Sequence, residues 1–120
     1  MPFFSGILDF TKDNDCIEVE RLIIRDNDVA IQATATWNGI NQKLRIDTRA
    51  QGNQLPFVFG PIRPIQEGAN NGEFYLITIE FVRFDRIIND NLLVEAAVKG
   101  TLTVIEGGEI YEFEGNLDEK

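Results

Sequence analysis

The sequence predicts an all-β protein: a single domain over residues 1–120, built as an eight-stranded antiparallel up-and-down barrel. Apolar residues alternate with polar residues along most of the chain, which is typical of strands that bury one face. Short clusters of Asp, Asn and Gly separate these runs at turn-like intervals. The two ends of the chain also share the pattern Phe-x-Gly-x-Leu-Asp, at 4–9 and 113–118.

The first half of the chain contains four predicted strands. The strand over 3–10 is rich in aromatic and aliphatic residues, and the turn sequence TKDND follows it. Over 16–25, Ile and Val alternate with Glu. Over 29–37 the odd positions carry Val, Ile, Ala, Ala and Trp, and over 42–50 Leu and Ile alternate with Lys, Arg and Asp. Each of these runs fits a half-buried strand.

The second half supplies the remaining four strands, over 54–59, 73–85, 92–105 and 109–117. The last two alternate regularly, with Glu, Lys and Thr on the outward positions. The strand over 73–85 is apolar on both faces, which is unusual for a strand with one solvated side. A short helix over 86–91 is the alternative for the segment that follows it.

Closure of the sheet is expected from the repeated terminal pattern. Nearly every connection is short, so strands adjacent in sequence should be adjacent in space, and 60–72 is the one long exception. A closed barrel removes exposed edges, and it makes the first and last strands neighbours. Gly6 and Gly115 would permit the strong coiling that closure requires. The alternative architecture is a two-sheet β-sandwich.

The number, order and length of the strands resemble the calycin group, which comprises the lipocalin-like and avidin-like barrels. The resemblance covers the whole chain and concerns layout alone. Lipocalins carry Gly-x-Trp near the first strand, whereas the single tryptophan here, Trp37, lies late and precedes Asn-Gly. No functional residue is therefore transferred from that group.

Composition excludes several classes of function. The chain has 11 basic and 20 acidic residues and a formal net charge of −9, so nucleic-acid and anionic-membrane partners are not expected. Histidine is absent and Ser5 is the only serine, which removes the usual general base and nucleophile pairs. We therefore expect a non-enzymatic protein with no cofactor and no metal. The single cysteine, Cys16, and the lack of a secretion signal favour the cytoplasm.

Candidate ligand-binding residues follow from the alternation. Arg83 has the same parity as the apolar residues of 73–85, so it is predicted to point into the barrel and anchor an anionic ligand. Trp37, Tyr75 and Tyr111 are predicted to form the walls of that interior site. The opposing interpretation is that Arg83 reaches solvent at a strand end or pairs with a nearby carboxylate. Arg21 is likewise expected to share a face with Ile17 and Val19.

Two outer surfaces are candidates for contact with other proteins. The second apolar face of 73–85, with Phe74, Leu76, Val82 and Phe84, is predicted to be an interface in a homo-oligomer. Lys43, Arg45 and Arg49 form a small exposed basic face, which is either solvated or in contact with acidic strands of the protein itself.

The function predicted from these features is binding of a small apolar or amphipathic ligand inside an open barrel. The alternative is a structural or protein-interaction β domain with a filled core. A third hypothesis is an isomerase or cyclase that works mainly by the shape of its pocket.

Overall fold

The computed structural model describes residues 2–12, 14–36, 43–67, 76–88 and 93–120, and it confirms an all-β barrel. None of these residues forms a helix that could cross a membrane. The strands are β1 (Phe4–Phe10), β2 (Cys16–Ile24), β3 (Asp28–Ala35), β4 (Lys43–Gln51), β5 (Phe57–Ile62), β6 (Ile65–Glu67), β7 (Ile77–Ile88), β8 (Val94–Val104) and β9 (Glu109–Glu119).

The strands follow the order β5-β7-β8-β9-β1-β2-β3-β4-β6, and all neighbours are antiparallel. β5 and β6 are two halves of one interrupted barrel strand, because β5 pairs with β7 whereas β6 pairs with Lys43–Arg45 of β4. The rest of β4 packs beside β5, but no ladder joins the two in this sheet order. The barrel is therefore nearly closed, with a seam between β4 and β5.

The expected pairing of the first and last strands is confirmed. β1 and β9 form a continuous antiparallel ladder in which Gly6 lies opposite Leu117 and Leu8 lies opposite Gly115. A Cβ on Gly6 would lie 2.7 Å from the carbonyl oxygen of Asn116, and one on Gly115 would lie 2.6 Å from that of Ile7. The repeated pattern is thus two glycine–leucine pairs that bring the strands close together.

Aromatic rings fill much of the barrel interior. Phe81 packs edge-on against both Phe59 and Phe113, with ring centroids 5.4 and 5.7 Å apart. Gly100 makes this possible, because a Cβ there would lie 2.7 Å from the ring of Phe113 and 2.1 Å from the carbonyl oxygen of Glu80. Among the described residues no polar or charged side chain is buried. Each fully buried large apolar side chain contributes roughly 1.5–3 kcal/mol to folding.

Two β-bulges invert the alternation within β2 and β7. In β2, Val19 lies opposite Ala33 and Arg21 lies opposite Gln32, the next residue of β3. Glu20 is therefore the extra residue in β2. The prediction that Arg21 faces inward with Ile17 and Val19 was therefore wrong, because the inserted residue turns it outward and brings Leu22 to the core.

In β7, Phe81 lies opposite Gly100 and Arg83 lies opposite Lys99 of β8. Val82 is therefore the extra residue in β7. The predicted inward orientation of Arg83 was also wrong, because the bulge directs its side chain to the outer surface. The same shift turns Phe84 inward, where its ring packs edge-on against Phe4 at 5.0 Å. Phe84 therefore does not belong to an outer apolar face.

Candidate functional site

Of the residues predicted to line an interior site around Arg83, the structure describes Arg83 and Tyr111, and it does not place these two side by side. The guanidinium of Arg83 pairs with the carboxylate of Asp85 at the surface. Tyr111 is half-buried near one barrel end, where its ring lies edge-on to Phe10 at 6.0 Å and its hydroxyl donates to Glu109. Trp37 and Tyr75 lie outside the described residues.

The predicted interface on 73–85 is also dispersed. Phe74 lies outside the described residues, and Leu76 is half-buried, with its carbonyl accepting a hydrogen bond from the Ile105 N–H at 2.9 Å. Val82 is half exposed at the bulge, whereas Phe84 packs into the core. The expected continuous apolar outer face is therefore absent from the described part of β7.

A groove of about 480 Å³ on the outer face of β2, β3 and β4 is the more prominent feature. Ala30 forms its floor, because this small residue lies between Ile23 on β2 and Arg49 on β4. The next row across the sheet brings Arg21, Gln32 and Asp47 side by side. We call this feature the arginine groove; the outward-facing residues that line it are Arg21, Ile23, Arg25, Ala30, Gln32, Asp47 and Arg49.

Ion pairs organise one end of the arginine groove. Arg25 forms two hydrogen bonds with the carboxylate of Asp28, at 2.6 and 3.0 Å, and this planar fork fixes its orientation. Arg49 reaches the same carboxylate at 3.8 Å, yet its side chain remains 71% exposed. Asp28 therefore neutralises Arg25 more completely than Arg49.

The remaining arginines extend the positive surface along the sheet. The guanidinium of Arg21 lies over the ring of Phe3, 4.6 Å from its centroid, a cation–π contact that leaves the positive charge uncompensated. Arg45 lies beside the groove, 3.9 Å from the carboxylate of Glu20. Three arginines, Arg21, Arg25 and Arg49, line the groove itself, whereas the carboxylates there are those of Asp47 and the neighbouring Asp28. The local balance is positive on a protein whose net charge is −9.

The outer face of β1 and β9 has the opposite charge. Four exposed carboxylates lie there, Asp9 on β1 and Glu112, Glu114 and Asp118 on β9. None of the four forms an ion pair with another described residue. We call these residues the acidic strip.

Cys16, on β2, lies opposite Asp9 of β1 and is partly buried. Burial raises the pKa of its thiol, and the carboxylates of Asp9, Glu18 and Asp15 raise it further. The thiol is therefore protonated at neutral pH, which disfavours nucleophilic chemistry. Within the described ranges no group of three or more Cys, Asp and Glu residues is placed to hold a metal ion.

A cleft of about 320 Å³ opens at the barrel end where β1 ends and β9 begins. Its apolar walls are Phe10, Ile110 and Tyr111, and Lys12 and Glu112 lie at its polar edge. We call it the end cleft. It is the place where a residue of the predicted ligand site, Tyr111, lines a concave surface.

Comparisons with protein-family models, curated proteins and solved structures each found no match. The function therefore has to be inferred from the chain's own residues. Sequence reasoning had identified Arg45 and Arg49 as part of an exposed basic face. It missed Arg21 and Arg25, because both follow the bulge at Glu20, which inverts the alternation on which the inward prediction for this strand was based.

Proposed function

We propose that the protein is a non-catalytic interaction domain whose arginine groove binds carboxylate groups of a protein partner. The observation that carries this proposal is an excess of arginine around a groove on an otherwise acidic protein. Arginine forms two-pronged hydrogen bonds with carboxylates, which makes it well suited to such contacts. The aromatic packing around Phe81 supports a filled core rather than an open interior.

Binding of a short fluorescein-labelled poly-glutamate peptide, followed by anisotropy at low salt, tests this function. We expect Arg21→Glu combined with Arg49→Glu to weaken binding about tenfold or more, because each lost contact is worth on the order of 1 kcal/mol. Arg83→Glu is the matched control, since it makes the same kind of charge change on β7 and should alter affinity far less. Equal loss in both variants, or no binding by the native protein, would contradict the proposal.

A second candidate function is the binding of a small amphipathic ligand in the end cleft, which corresponds to the ligand-binding prediction made from the sequence. The apolar walls beside Lys12 support it. A hydrophobic dye such as ANS should bind the native protein with increased emission, and Ile110→Glu should abolish that increase. Val58→Glu places the same charge on β5, away from the cleft, and serves as the control. Dye binding that survives Ile110→Glu unchanged would exclude this site.

The cytoplasmic location expected from the single cysteine stays a prediction, as does the absence of nucleic-acid and membrane partners. The homo-oligomer predicted from the sequence also stays a proposal.

A further inference from the structure

We propose that the ligand of the arginine groove is an extended acidic segment of another protein, and that this segment also carries an aliphatic side chain. This inference rests on the proposed function, because it names the kind of segment whose carboxylates the groove binds. In the bound state Ile23 and Ala30 contact the aliphatic side chain, and Gln32 forms hydrogen bonds with the backbone of the segment.

β3 forms the floor of the groove, and β2 and β4 form its walls. Ala30 lies between Ile23 on β2 and Arg49 on β4, and in the next row Gln32 lies beside Arg21 of β2. An extended segment above β3 would therefore meet β2 on one side and β4 on the other. Because successive side chains of an extended chain point in opposite directions, such a segment can contact both walls.

The two walls each carry an arginine with hydrogen-bond donors left for a ligand. Arg21 contacts the ring of Phe3 through a cation–π interaction. Arg49 lies 3.8 Å from the carboxylate of Asp28, which already accepts two hydrogen bonds from Arg25. A guanidinium has five N–H donors, so both arginines can bind carboxylates of the segment. Their places on opposite walls favour two acidic residues that are adjacent in the segment.

Ile23 adds an apolar contact that binding of carboxylates alone does not require. Its side chain is half-buried and does not pack against the described core, because it follows the bulge at Glu20 and faces outward. Ala30 lies opposite it and extends the apolar surface. An aliphatic side chain next to the acidic residues would bury this surface, which is favourable in proportion to the apolar area removed from water.

Gln32 favours an extended segment over a helix. Its side chain is exposed on the floor of the groove and forms no hydrogen bond with another described residue. A side-chain amide can donate to a carbonyl oxygen and accept from an N–H at the same time. An extended segment offers both groups, whereas the backbone groups of a helix are bonded to one another.

Two fluorescein-labelled peptides, with the cores Glu-Glu-Ile-Glu-Glu and Glu-Glu-Ser-Glu-Glu, test the aliphatic contact. Each core reads the same in both directions, so the result does not depend on which way the segment runs. Anisotropy should show that the native protein binds the isoleucine peptide about tenfold more tightly than the serine peptide. Ile23→Ser should reduce this preference to about twofold or less, because the apolar contact is then lost from the protein side.

Ile105→Ser is the matched control for Ile23→Ser. Ile105 is an exposed isoleucine that follows β8, and β8 lies four strands from β3 in either direction when β5 and β6 are counted as one strand. This variant should therefore keep the full preference for the isoleucine peptide. Circular dichroism checks that both variants are folded.

The conformation of the segment is tested with the isoleucine peptide held in a helix by lactam bridges in its flanks. We expect the helical peptide to bind the native protein at least about tenfold more weakly than the flexible one, because its backbone has no free groups for Gln32. Gln32→Met removes the amide and keeps the length of the side chain. It should weaken binding of the flexible peptide about two- to tenfold and leave binding of the helical peptide unchanged.

The inference is overturned if the native protein binds the isoleucine and serine peptides equally, if Ile23→Ser keeps the preference or Ile105→Ser loses it, or if the helical peptide binds as tightly as the flexible one. Any of these results, together with binding that Arg21→Glu combined with Arg49→Glu removes, would overturn the inference alone and leave the proposed function standing. Absence of binding of both flexible peptides to the native protein would overturn both.

Discussion

The repeated terminal pattern has a physical explanation at single residues. Gly6 and Gly115 each lie opposite a leucine of the other strand, and neither position has room for a side chain. Because antiparallel pairing reverses one strand, the same short pattern can pair with itself, glycine against leucine at both positions. The pattern therefore marks the junction at which the chain's two ends meet.

Replacing Gly115 by alanine should destabilise the protein by about 1–3 kcal/mol, because the new Cβ would lie 2.6 Å from the carbonyl oxygen of Ile7. Gly6→Ala should cost at least as much, since its Cβ would lie 2.7 Å from the carbonyl oxygen of Asn116 and its backbone has a φ of 156°, which residues with a side chain rarely adopt. The double variant should cost less than the sum, because a junction already pushed apart accommodates the second methyl group. Urea unfolding measures all three free energies.

Ser5→Ala is the control for this series, because it lies in the same junction, adds no atoms, and should change stability by no more than about 0.5 kcal/mol. Strict additivity of the two glycine variants would show that they act at independent places rather than on one shared junction.

At the scale of the strands, period-two alternation located the barrel strands except β6 (Ile65–Glu67), which lies in the segment 60–72 that was expected to be a long connection. The terminal pattern was sufficient to pair β1 with β9. The segment over 86–91 shows how pairing decides an ambiguous sequence. β7 continues through Ile88 because Arg86, Ile87 and Ile88 find ladder partners on β8. The helical alternative for the described residues 86–88 was therefore wrong, although the apolar residues Ile87 and Ile88 also fit the apolar side of a helix.

The direction in which side chains point was predictable only up to each bulge. One extra residue, Glu20 in β2 or Val82 in β7, reverses every later side chain of its strand, and nothing in the local composition marks it. The candidate site failed for the same reason: Arg83 was expected inside the barrel, whereas Arg21, which was also expected inside, belongs to the groove. A site assembled across three strands depends on register, which alternation does not specify.

At the scale of the whole molecule, the weakest junction between neighbouring strands of the barrel is the seam between β4 and β5. β1 joins β9 through seven consecutive residue pairs, whereas β4 is paired along its start by β6 and only packs beside β5 thereafter. β5 and β6 form the interrupted strand that would close the barrel. Its first half, β5, pairs with β7, and its second half, β6, pairs with β4. Opening of the barrel should therefore begin at the seam and leave the β1–β9 junction intact.

Hydrogen exchange measured amide by amide tests this order of opening. Successive amides of β4 point alternately toward β3 and toward the seam, so the strand contains its own control. Over 46–51 we expect the seam-facing amides to exchange at least about tenfold faster than those facing β3, which corresponds to an opening free energy lower by about 1.4 kcal/mol. The amides of β1 that face β9 should be as protected as the amides of β4 that face β3. Equal protection on both sides of β4 would mean that hydrogen bonds close the seam in solution, and unfolding would then have to begin elsewhere.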